Sequence, residues 1–308
     1  MPKNAKEMLF LAKNKGNFMK RTFFTLIITT FVFSLLAQGT VKESLRMESK
    51  ILGKDVEYSI YLPPDYQTSN RSYPIVYLLH GYTDDETGWV QFGEINRIAD
   101  AAIAEGKIPP MIIAMPDAGL TWYINDYDGK VRYEDFFIQE FIPSIEKGFR
   151  VRSKKEFRGI AGLSMGGFGT LVLAMKHPNL FVAAAPLSAA IYPEEEVVGF
   201  DQERWDKVQG PMFGKGLVGE DRITEHWKAN NPFFLAKKLG AESLKKVSYY
   251  FDCGDDDFLY KGNAAIHVLF RNMGVPHEFR MRDGRHNWTY WRTGIADALA
   301  FIGARFHR

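Results

Sequence analysis

The sequence predicts an α/β fold: a mostly parallel central sheet with helices on both faces. Three observations carry this. Short, continuously apolar runs at 75–79 and 111–115 read as strands buried on both faces. Stretches with helical spacing alternate with them, as crossover connections between parallel strands require. A glycine-flanked serine, Gly162-Leu163-Ser164-Met165-Gly166, sits between a strand candidate and a helix candidate.

The elements follow in chain order. Residues 56–62 form a strand candidate with Tyr58, Ile60 and Leu62 on one face. Residues 75–79 form the next, and 111–115 another, closed by Pro116-Asp117. Residues 133–149 have helical periodicity, with Phe137, Phe141, Ile145 and Phe149 on one stripe, and Pro143 predicts a break or kink. A strand at 158–162 leads through Ser164 to a helix at 167–176, which stops at His177-Pro178. Strand candidates at 181–187, 247–253 and 278–282 follow, and 296–306 is the last helix. Residues 192–232 break the pattern. They are rich in charge, Gly and Trp and have no strand signal, so they are expected to be a cap-like insertion in one catalytic domain spanning 38–308.

Composition narrows the function classes. Of 308 residues, 46% are hydrophobic and 25% charged, and the net charge is +2, which excludes a disordered tail and a strongly basic nucleic-acid binder. A single cysteine, Cys253, excludes an intramolecular disulfide framework and any multi-cysteine metal site. The charge is unevenly spread. Six cations against Glu7 give the first 37 residues +5, which leaves −3 on the remainder. These cations precede an uncharged, mostly apolar stretch at 23–37, too short for a comfortable membrane span. The pattern is that of a secretory signal peptide, with cleavage expected near Ala37-Gln38. Met19-Lys20-Arg21 is a conventional opening for such a leader, which makes residues 1–18 an upstream extension. The expected location is therefore secreted or periplasmic, with no stable membrane anchor after cleavage.

The chemistry centres on Ser164. G-x-S-x-G between strand and helix is the nucleophile elbow, where glycines permit a sharp turn and the helix N-terminus faces the reacting centre. Of seven histidines, His286 lies in a loop just past a strand and late in the chain, where a base following the serine is expected. His80 follows a buried strand and is read as a structural histidine. The acid is sought in Asp255-Asp256-Asp257, past the strand-ending Gly254, with Asp257 preferred and Asp256 second. The N–H groups of Tyr82 and Met165 are the expected oxyanion donors, since Gly81 lets the backbone turn. Trp122, Tyr123, Trp288 and Trp291 fall near pocket loops and are candidate substrate-binding aromatics, each with core packing as its alternative. Gly214-x-Gly216-x-x-Gly219 has neither a preceding strand nor a following apolar helix, so it carries no nucleotide site. The chemistry calls for no metal and no cofactor.

Taken in order, Tyr77-Leu78-Leu79-His80-Gly81 with Trp89, Met115-Pro116-Asp117 with Trp122-Tyr123, Tyr133-Glu134-Asp135-Phe136, Gly162–Gly167, Cys253-Gly254-x-x-Asp257 and Gly284-x-His286-x-Trp288 form a distinctive set. From about Tyr58 onward the chain resembles the esterase-D-like branch of the α/β-hydrolases. That branch includes tributyrin esterases, S-formylglutathione hydrolases, and the acetyl-xylan and feruloyl esterases of carbohydrate esterase family 1. The resemblance implies an α/β-hydrolase fold, Asp257 as the acid and Tyr82 as the first oxyanion donor. With the leader, it points to secreted esterases acting on acetyl or feruloyl esters of polysaccharides or oligosaccharides. A broad short-chain carboxylesterase, an S-formylglutathione hydrolase and an inactive carbohydrate-binding relative are the alternatives. No nucleic-acid partner is expected.

Overall fold

The computed structural model describes residues 38–306; the expected leader at 1–37 lies outside them. Eight strands form one sheet: β1 (Thr40–Ser49), β2 (Lys54–Leu62), β3 (Ile75–Leu79), β4 (Ile112–Pro116), β5 (Arg158–Leu163), β6 (Ala183–Leu187), β7 (Ser248–Gly254) and β8 (His277–Arg282). Their order is β1-β2-β4-β3-β5-β6-β7-β8. β1 and β2 are antiparallel at one edge, and the other six run parallel. The principal helices are α1 (Ile95–Ala104), α2 (Met165–Lys176), α3 (Pro232–Leu244), α4 (Tyr260–Asn272) and α5 (Trp288–Gly303).

Strand alternation assigns the two layers. On β3, Ile75, Tyr77 and Leu79 enter one core, which residues of 133–148, α2, α3 and α4 complete. Val76 and Leu78 enter the opposite core, closed by α1 and α5. With both faces covered, β3 and β4 need apolar residues throughout, which is why these strands are unbroken apolar runs.

Helices α1, α3 and α4 were not among the expected elements, and further features differ from or add to the sequence expectations. β1 has no counterpart among them. Its charged residues face solvent, and a register shift between Lys42 and Leu45, with Ser44 at φ 50°, breaks the period of two that would reveal a strand. The 133–149 helix is three pieces: an α-turn, a π-helical segment at Phe137–Phe141, and an α-helix whose first turn holds Pro143. Proline has no N–H to donate, and the wider π turn relieves the ladder there. The 192–232 stretch is a chain of short helical turns, including a second π-helical segment at Trp205–Gln209. Its knot is Arg222, 1% exposed, which donates to the carbonyls of Val197 (3.0 Å), Phe200 (2.6 Å) and Leu217 (3.0 Å) and to Gln202 Oε1 (2.9 Å). The last helix begins at Trp288, not 296, because the Asn287 side chain accepts from the Tyr290 N–H and caps it. Among the described residues no helix is long and apolar enough to cross a membrane.

Candidate active site

The turn between β5 and α2 forces Ser164 into φ 54°, ψ −114°, a conformation that costs a non-glycine residue about 1–3 kcal/mol. Surrounding bonds hold it there. Its N–H donates to Leu187 O (2.9 Å), and its carbonyl accepts from Phe168 (3.0 Å) and Ala190 (2.9 Å). The flanking glycines are required sterically. A Cβ on Gly162 would lie 2.5 Å from Gly166 O, and one on Gly166 would lie 2.5 Å from Leu79 O. Strand, turn and helix are therefore in direct backbone contact, and Ser164 projects at the carboxyl end of the sheet.

Two more carboxyl-end loops converge on it. His286, from the loop after β8, places Nε2 2.9 Å from Ser164 Oγ. Its Nδ1 lies 2.9 Å and 3.1 Å from the two carboxylate oxygens of Asp257, in the loop after β7. Asp257 is 1% exposed, and its Oδ1 also accepts the Leu259 N–H at 2.9 Å. Asp256 points elsewhere, toward Arg285 at 3.6 Å, in an exposed position. Asp255 accepts the Gly284 N–H at 3.0 Å and laces the two loops together. The imidazole is wedged between Phe258 (centroids 4.6 Å) and the edge of Trp291 (4.9 Å, 88°). Cys253, next to last in β7, is fully enclosed, and burial pushes its thiol well above the ordinary value.

The loop after β3 supplies the opposite side. His80 is 1% exposed; its Nε2 accepts the Ala118 N–H (2.8 Å), so its Nδ1–H donates to Gly81 O (2.7 Å). In a trans peptide the C=O and the following N–H point in opposite directions. Fixing Gly81 O against His80 therefore turns the Tyr82 N–H away from His80, on a residue that lines the cleft. Among the described residues neither this N–H nor that of Met165, the first residue of α2, has an acceptor.

The cleft has a volume of about 670 Å³. Trp122 lines it, with its indole N–H donating to Val208 O of the insertion at 3.1 Å. Trp288 and Trp291 line it too, but from the first turn of α5 rather than from a loop. Tyr123 does not. It is wholly buried, its hydroxyl donates to His80 O at 3.1 Å, and it belongs to the core. Trp122 and Tyr123 occupy consecutive left-handed positions (φ 54° and 61°), and the two side chains part, one to the cleft and one inward. The sequence did not single out Asp84, Tyr192, Arg204, Val208 and Phe258, which also line the cleft. Phe258 had a signal, since it adjoins Asp257; the insertion residues had none beyond their membership of a cap.

An Esterase family model matches residues 49–302. The chain belongs to the Esterase family. Within it, this family member is 30% identical over 258 residues to an esterase of Mycobacterium tuberculosis, covering 78% of this chain and 54% of the relative. The chain thus spans about half the length of that relative. An endo-1,4-beta-xylanase/feruloyl esterase of Xylanibacter ruminicola is 38% identical over 160 residues, covering 48% of this chain and 22% of the relative. A solved ferulic acid esterase superposes with TM-score 0.75 at 30% identity, covering 87% of this chain and 99% of that one. The fold of this Esterase family member is that of the α/β-hydrolases.

Proposed function

We propose that this chain is a serine carboxylesterase acting on hydroxycinnamoyl or acetyl esters of plant-type polysaccharides. The observation that carries the reading is the unbroken hydrogen-bonded row Ser164–His286–Asp257 beside two unengaged backbone N–H groups. His286 Nε2 takes the Ser164 proton as Oγ attacks the ester carbonyl. Asp257 holds the Nδ1–H tautomer and stabilises the imidazolium. The N–H groups of Tyr82 and Met165 receive the oxyanion. The alcohol leaves with the proton from His286, and water then releases the acid from the acyl-enzyme.

Substrate class rests on the cleft and on the relatives. A cleft of about 670 Å³ is in the range that encloses a drug-sized ligand, larger than acetyl alone requires. Its lining includes Phe258 (65% exposed) and Trp288, which packs against the exposed Phe92 (6.0 Å), flat surfaces suited to sugar rings or a hydroxycinnamoyl group. The feruloyl esterase relatives support the same class. The basic, then apolar segment before residue 38 supports a secreted or periplasmic setting.

The test is a substrate panel on the purified protein without residues 1–37: methyl ferulate, acetylated xylan, p-nitrophenyl acetate and S-formylglutathione. Release of ferulate or acetate, reduced about 10⁴-fold or more by Ser164→Ala, is the expected result. Activity confined to S-formylglutathione would overturn the substrate class, and full activity of Ser164→Ala would overturn the mechanism.

A further inference from the structure

Besides Tyr82 and Tyr192, three ionisable side chains line the cleft: His286, Asp84 and Arg204. Asp84 lies on the loop after β3, and burial raises its carboxyl above the ordinary value. Arg204 lies at the end of the short insertion helix Gln202–Arg204. Its guanidinium is held by aromatic faces, 4.1 Å over the Phe200 ring and 5.6 Å from the Tyr192 ring, and one Nη donates to the Tyr192 hydroxyl at 3.4 Å.

Arg204 has no carboxylate partner among the described residues. Arg46, Arg71, Arg132, Arg158 and Arg282 each meet an acid; Arg150, Arg152, Arg222 and Arg271 do not, but none of these four lines the cleft. Arginine presents five donors in a rigid fork that matches a carboxylate. Stacking fixes the plane of that fork and leaves its edge available.

We infer that Arg204 is a specificity-determining residue that receives a carboxylate of the substrate outside the scissile ester, as a uronic acid on an ester-decorated oligosaccharide would supply. The inference rests on the esterase reading and adds an acidic saccharide to it. It assigns the insertion a function: to place one cation beside the serine cleft.

The experiment is competitive inhibition of p-nitrophenyl acetate hydrolysis by acetylated glucuronoxylan oligosaccharides and by the same oligosaccharides after reduction of their carboxylates to alcohols. The acidic form is expected to have a Ki roughly tenfold lower, the low end for a charge-assisted hydrogen bond, because Arg204 is exposed. Arg204→Met should bring the two Ki values within about twofold, Arg204→Lys should retain part of the difference, and rising salt should shrink it. Equal Ki values in the wild type, or a preference that survives Arg204→Met, would overturn the inference while hydrolysis of p-nitrophenyl acetate leaves the esterase reading standing. Failure to hydrolyse p-nitrophenyl acetate would instead overturn the esterase reading, and the subsite with it.

Discussion

At the scale of single residues, the site depends on side chains that never touch a substrate. His80 is the clearest case. It was legible as a structural histidine because it follows a buried apolar strand and precedes the glycine that turns the chain. What it does there was not legible, since that depends on Ala118, 38 residues away, fixing the tautomer that holds Gly81 O. His80→Ala should lower kcat on p-nitrophenyl acetate by about 10²-fold with a smaller effect on KM, because the Tyr82 donor would no longer be aimed. His80→Asn, whose amide N–H can replace Nδ1–H, should recover part of that loss, and a circular-dichroism melt would establish that both variants fold. The glycines of the elbow are a second case. Their necessity follows from the motif, but the contact behind it is long-range, since a Cβ on Gly166 would strike the backbone of Leu79. Gly166→Ala should destabilise by about 1–3 kcal/mol, as overpacking does, with a lowered melting temperature as the readout. Tyr123 shows the limit of local reading. Two adjacent aromatics in a loop look alike; both are buried, and only the fold shows that Trp122 borders the cleft while Tyr123 does not.

At the scale of elements, the strands were legible wherever both faces are buried, whereas of the five principal helices only α2 and the later part of α5 were, and α1, α3 and α4 were not anticipated. Three of the misses share one cause, an insertion or cap that shifts the period: β1 has its bulge, 133–149 its π turn, and α5 a side-chain cap nine residues before its expected start. The last of these matters for the site. β8 and α5 flank the loop that carries His286, and both are tied to one buried carboxylate, Asp252, 0% exposed on β7. Arg282 donates to its two oxygens at 3.1 Å, and the Tyr290 hydroxyl donates to it from α5. Asp252 thus clamps the ends of the His286 loop. Asp252→Asn should cost about 1–3 kcal/mol, less than a fully buried pair would, because the Arg282 side chain is 29% exposed. It should also reduce kcat while leaving the affinity for a competitive ferulate analogue near the wild-type value. Denaturant unfolding and steady-state kinetics check the two halves. An unchanged kcat would mean that the loop holds its shape without the clamp.

At the scale of the whole molecule, the fold brings to one sheet end four segments scattered over more than two hundred residues, and the order of motifs was enough to predict that convergence. The lining contributed by 192–232 was not predictable, because short helical turns knotted by a buried arginine leave no periodic trace. Two half-buried histidines make stability depend on pH. Burial lowers the pKa of His226, and burial followed by the neighbouring His277 and Arg271 lowers that of His267. A histidine whose folded pKa lies below its unfolded value of about 6.5 binds fewer protons when folded. Its stabilisation is therefore present above pH 6.5 and declines as pH falls from there toward the lowered folded value. The melting temperature should drop between pH 7.5 and 5.5, and replacing both His226 and His267 by Gln should flatten that slope. The central claim, however, is that the molecule exists to activate one serine. It is tested most directly by labelling the intact protein with a fluorophosphonate and mapping the adduct by mass spectrometry. A single adduct on Ser164, formed at least a hundredfold more slowly in His286→Ala and blocked by native-state substrate, is the predicted result. Ester hydrolysis that persists with Ser164 unlabelled, or an adduct on another residue that abolishes it, would contradict the account.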